Sequence, residues 1–199
     1  MANKETLNIP GDAFTSVLQE LHAHAFTGVP NESDPFVLSA LRREYIAYAL
    51  AIYYQCDHCQ EHHEKAVLRE MRRENEVDWP WNQLVKDMVL YARIEKKNVS
   101  EAEWARWSHN WTRFIKKLGP THGCIAHLVA LAIGLSRADE PLMRFEWAAI
   151  CASYTDNNRL KGVVRDVARV VVFMKAATTA NRVAPILKLM FAERGLDVE

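Results

Sequence analysis

"REYIAYALAIYYQCDHCQEHH", Arg43 to His63, has two unlike halves. The first, Tyr45 to Tyr54, is apolar on nearly every side of a helix. It is about half the length of a bilayer span, so it predicts a helix buried in a protein core. The second, Gln55 to His63, holds two cysteines three positions apart, with His58, His62 and His63 around them. The first half predicts a fold class, and the second predicts where the chemistry lies.

Outward from this stretch the whole chain reads as helical. Of 199 residues only 7 are glycine and 7 proline, and they fall mostly between amphipathic segments. No period-two alternation marks a strand. The first helix is expected from Asp12 to near Gly28. The second is expected to be capped by Ser33 or Asp34, with Pro35 in its first turn, and to run to about Tyr54. Residues 57–73 form the third, and Trp81 to Lys97 the fourth. A capping box at Ser100 and Glu103 opens a helix that ends at Gly119, and another runs from Thr121 to Leu135. Leu142 to Ser153, Asn157 to about Ala180, and a short segment from Pro185 to Gly195 complete the set. No linker or repeat divides the chain, so one all-α domain over residues 1–199 is predicted.

Lys and Arg number 25, as do Asp and Glu, so the formal charge is zero. That argues against a nucleic-acid binder, which needs an excess of cations. The N-terminal "MANKETLNIPGDAF" has no apolar core of a signal peptide, and no segment reads as a membrane span. Four cysteines, two paired locally and two (Cys124, Cys151) alone, fit a reducing cytoplasm better than a disulfide scaffold. Trp104, Trp107 and Trp111 form one helix face that Phe114 and Leu118 continue. Such a row is core or subunit interface more often than a substrate wall. One chain is expected to struggle to cover both this face and Tyr45–Tyr54, so a homo-oligomer is predicted. His22, His24, His109, His122 and His127 have no partner that sequence can name.

The cluster itself admits more than one chemistry. At the start of a helix, Cys56 and Cys59 come within disulfide reach, and the helix end favours thiolate over thiol. That argument alone favours Cys56, the sulfur nearest the end. His63 lies four residues after Cys59 and shares its face, so it can exchange a proton with that sulfur. This spacing favours Cys59 as the reactive thiol. The alternative is zinc, held by Cys56, Cys59, His62 and His63. Structural zinc sites usually draw ligand pairs from two separated segments, whereas these four fall within eight residues.

The pattern Glu44, then Cys56-x-His58-Cys59, then His63 resembles the redox motif of the alkylhydroperoxidase D-like branch of the carboxymuconolactone decarboxylase family. The resemblance covers about residues 36–145; residues 146–199 form a helical extension beyond it. It implies an all-α fold assembled as a trimer or hexamer, working without a cofactor. It implies reduction of a hydroperoxide, or disulfide exchange, with electrons from a dithiol or thioredoxin-like reductant. Cys59 is then the attacking residue and Cys56 the resolving one, with Glu44 and His63 relaying protons and His58 tuning the sulfur. The decarboxylase branch typically lacks the cysteine pair. A lyase acting on a small carboxylated ring and a non-enzymatic zinc-binding assembly are the alternatives. For Glu44 to take part, the chain must turn. In one straight helix it would sit about 18 Å from Cys56, so a break between about Tyr53 and Asp57 is required.

Overall fold

The computed structural model describes residues 11–28, 36–76, 79–154 and 156–193, and no strand occurs among them. The helices are α1 (Gly11–His22), α2 (Ala40–Tyr54), α3 (Asp57–Glu74), α4 (Trp81–Ala92), α5 (Glu101–Arg137), α6 (Glu140–Ser153) and α7 (Asn157–Ala192). A π turn at Ala23–Thr27 follows α1, and a 3-10 turn at Lys96–Asn98 precedes α5. The chain is all-α, as its periodicity predicts.

Helix α2 is the axis of the fold and packs against α3, α4, α5 and α7. Every residue from Arg43 to Ala51 is buried, which is what an all-round apolar helix requires. Arg43 survives burial because its guanidinium donates to the carbonyls of Leu38 and Phe26 and lies 3.7 Å over the Phe36 ring. Glu44 is buried beside it, and its partner defines the site described below.

Contacts distant in sequence set two helix ends that local signals place elsewhere. Helix α2 starts at Ala40 with Ser39 as its cap, later than expected. Ser33, Asp34 and Pro35 lie outside the described residues. The amides of Val37 and Leu38 donate instead to the buried carboxylate of Asp166 on α7, at 2.6 and 2.9 Å. That holds the segment out of the helix. Helix α4 ends at Ala92, short of Lys97. The Arg137 guanidinium takes the carbonyls of Arg93 and Ile94, and the chain peels away there.

The capping box opens α5: the Ser100 amide donates to Glu103 Oε2 at 2.8 Å, and the Glu103 amide to Ser100 Oγ at 3.3 Å. At Gly119 the backbone leaves the helix (φ 73°, ψ 176°), a conformation open essentially to glycine alone. The helix resumes directly, so two expected helices are joined by a kink. Helix α7 passes through Pro185 as one piece, where a new helix was expected. Pro185 deprives only the carbonyl of Asn181 of its partner, and that residue is exposed, so water can replace the bond. Gly195 lies outside the described residues.

Trp107 and Trp111 of the tryptophan row belong to the core of one chain, while Trp104, Phe114 and Leu118 are half-buried. Trp111 is fully buried and donates to the Glu146 carboxylate at 2.7 Å. Trp107 donates to the Tyr91 carbonyl at 2.9 Å and packs on Phe145. The α2 face is therefore covered internally, and the tryptophan face is covered in part. Among the described residues α5 is the one helix long and apolar enough to cross a membrane, and 56% of its apolar window is buried in the fold.

Candidate redox site

The site begins with the turn that ends α2. Gln55 adopts a left-handed conformation (φ 57°, ψ 47°), although it is not glycine. The amides of Gln55 and Cys56 return to the carbonyls of Ile52 (3.1 Å) and Ala51 (3.0 Å), which closes the helix end. Cys56 is then extended and caps α3, its sulfur accepting from the Cys59 amide at 3.4 Å. Helix α3 runs back along α2. This fold-back brings Glu44 Oε2 within 2.8 Å of His63 Nδ1, with both side chains buried.

The sulfurs of Cys56 and Cys59 are at bonding distance and joined, with Cα atoms 5.3 Å apart. Both residues are buried. Helix α7 approaches them from the other side. The Asn181 side-chain amide lies 3.4 Å from Cys59 Sγ and 3.8 Å from Cys56 Sγ, and Thr178 Oγ1 lies 3.9 Å from Cys59 Sγ.

Cys59 opens onto a pocket of about 390 Å³, within the range of small-molecule sites. Helix α3 lines it with His58, Cys59, His62 and His63. Helix α7 adds Phe173, Ala177 and Asn181, and α1 roofs it with Leu18 and His22 among others. Cys56 lies behind, outside the lining. Desolvation lowers the pKa of His22 against an upward pull from Glu44. Desolvation and the neighbouring His63 lower that of His62. Phe26 tilts against His63, with ring centroids 5.6 Å apart, and packs edge-on to Phe173.

The fold thus gathers Glu44, Cys56, Cys59 and His63 in one place, with His58 exposed on the pocket wall. Among the described residues no hydrogen bond joins His63 to either sulfur. Its Nδ1 is taken by Glu44, and the donors at the sulfurs come from α7 and the Cys59 amide. No three His, Cys, Asp or Glu side chains among the described residues are arranged to hold a metal ion. Cys124 and Cys151 are free and half-buried.

Sequence reasoning missed His22, Thr178 and Asn181. Thr178 and Asn181 are 119 and 122 residues from Cys59, in a helix with no motif. His22 was one of five histidines without a nameable partner. Comparison of the chain with known protein families, curated proteins and solved structures gives no match. The likeness drawn from the motif therefore rests on the motif residues alone.

Proposed function

We propose that the chain is a thiol-dependent oxidoreductase of the alkylhydroperoxidase D-like kind, reducing hydroperoxides or exchanging disulfides through Cys56 and Cys59. One observation carries this reading. A cysteine pair at bonding distance opens through Cys59 alone onto a pocket, beside a buried carboxylate–imidazole pair.

In the reduced enzyme the Cys59 thiolate attacks the distal oxygen of a hydroperoxide. The O–O bond breaks, the alkoxide leaves with a proton as alcohol, and Cys59 becomes a sulfenic acid. The Cys56 thiol then displaces hydroxide, which leaves as water, and the disulfide forms. An external dithiol supplies two electrons and two protons by exchange, and its own sulfurs are joined. Glu44 and His63 relay protons in this scheme, and His58 on the wall tunes the sulfur. The joined state described above is the oxidised end of the cycle. The acting form is proposed to be a trimer or hexamer.

Thiol counting tests the reading. Reduced protein treated with one equivalent of an organic hydroperoxide is expected to lose two thiols, and the Cys56→Ser variant is expected not to lose that pair. An unchanged thiol count in the reduced wild-type protein refutes the peroxide reading. Failure to exchange with a small dithiol or its disulfide as well removes the oxidoreductase reading entirely.

A further inference from the structure

We infer that Asn181, supported by Thr178, is the residue that holds Cys59 as thiolate: α7 supplies the hydrogen-bond donors that the reactive sulfur otherwise lacks. The inference rests on the reading that this dithiol cycles between its two states.

The need for such a donor follows from the surroundings of Cys59. The residue is buried, and burial raises a thiol pKa by disfavouring the charged form. Among the described residues no Lys or Arg lines the pocket. Asp57, in the first turn of α3, places a carboxylate near the helix end that would otherwise favour an anion. His63 is engaged by Glu44 and makes no hydrogen bond to the sulfur. What remains are the Asn181 amide at 3.4 Å and the Thr178 hydroxyl at 3.9 Å.

Asparagine suits this position chemically. Its NH2 group carries two donors, and the second sulfur is also in reach at 3.8 Å. One side chain can thus follow negative charge from either cysteine as the disulfide opens or closes. Thr178 precedes it by three residues and lies on the same helix face. The next residue, Arg182, donates to the carbonyl of Tyr54, at the end of α2 and two residues before Cys56. That contact pins this turn of α7 against the cysteine turn and fixes where the Asn181 amide sits. All three residues lie beyond the stretch that carries the family resemblance.

The test reads the thiol, not the turnover. The pH dependence of Cys59 alkylation by iodoacetamide is followed in the reduced full-length protein by peptide mass spectrometry. Asn181→Leu is expected to raise the midpoint by about one pH unit, which cuts alkylation at pH 7 about tenfold. Asn181→Asp, which puts a negative charge there, is expected to raise it further, and Asn181→Gln to restore part of the shift. Thr178→Val provides a second, near-isosteric variant, with a smaller shift in the same direction. The high-pH plateau separates steric access from lost donation. A lowered plateau with an unmoved midpoint overturns the inference, as do unmoved midpoints in both Asn181→Leu and Asn181→Asp. Alkylation needs no peroxide. A wild-type protein that ignores hydroperoxides while its variants shift as described refutes the peroxide reading alone.

Discussion

Glu44 Oε2 and His63 Nδ1 lie 2.8 Å apart across the groove between α2 and α3, and solvent reaches neither side chain appreciably. A hydrogen bond from Nδ1–H to the Glu44 carboxylate fixes the orientation of the ring and leaves Nε2 turned away from Glu44. In the proposed reaction this pair relays protons. Glu44→Gln is expected to slow peroxide-driven disulfide formation by about 10²-fold, the lower end of what a positioned acid–base group contributes. Glu44→Ala is also expected to cost about 1–3 kcal/mol of stability, because His63 stays buried without its partner. The double variant Glu44→Ala/His63→Ala should lose little more rate than either single one. Rate losses that simply multiply would show that the two residues act separately.

Both cysteines are buried, but Cys59 lines the pocket and Cys56 does not, and the proposed reaction uses Cys59 as the attacking sulfur. After peroxide treatment a sulfenic-acid probe is expected to label Cys59 strongly in the Cys56→Ser variant. The Cys59→Ser variant should take almost no label. Strong labelling of Cys56 in that second variant would mean that the helix end outweighs access and the α7 donors.

A second buried carboxylate gives a pH-dependent stability. Burial pushes the Glu146 carboxyl above its ordinary value of 4.5, against downward pulls from His127 at 2.6 Å and the Trp111 indole. The folded state therefore keeps this proton to higher pH than the unfolded chain does. Where it binds the extra proton, stability falls as pH rises, starting from about 4.5. Glu146→Gln cannot ionise and still accepts from Trp111. Its melting temperature should gain on that of the wild type as pH increases from about 4 to 8, by calorimetry. A constant difference across that range would show that the carboxyl is not shifted.

Gly162 lies where α7 meets the segment before α2. A methyl group there would run into the side chain of Val37, whose amide is held by Asp166. Turning the Val37 side chain relieves only part of the clash, because its Cβ is itself 3.3 Å away and its backbone is held by Asp166. Gly162→Ala is expected to destabilise the fold by about 1–3 kcal/mol in denaturant titration. A neutral or stabilising result would mean that this junction is looser than its contacts imply.

Ile186, Leu189 and Met190 near the end of α7 are 56%, 66% and 56% exposed. With the α2 face covered internally, these residues are one of the apolar surfaces left for an assembly, as Leu90 and Trp147 are elsewhere. Light scattering at micromolar concentration is expected to give a mass above that of one chain, and Leu189→Glu to lower it. A monomeric wild-type protein would refute the expected trimer or hexamer.

The sequence by itself determined what depends on neighbours a few positions away. An all-round apolar run predicts a buried helix because a helix presents every side chain within one turn. Ser100 and Glu103 predict a cap because three residues span one helical turn, and Gly119 predicts a break because its conformation needs no Cβ. Two cysteines at this spacing reach one another for the same local reason, and a histidine four residues on shares their helix. Only the tertiary structure decided the rest. The expected start of α2 gave way to a carboxylate 128 residues distant, and the end of α4 to Arg137. It placed Trp107 and Trp111 in the core of one chain and left Trp104, Phe114 and Leu118 half-buried. It also set Asn181 and Thr178 against the sulfurs. Such contacts leave no periodic trace, because the energy of a long-range pair depends on where two helices pack, not on the residues beside either member.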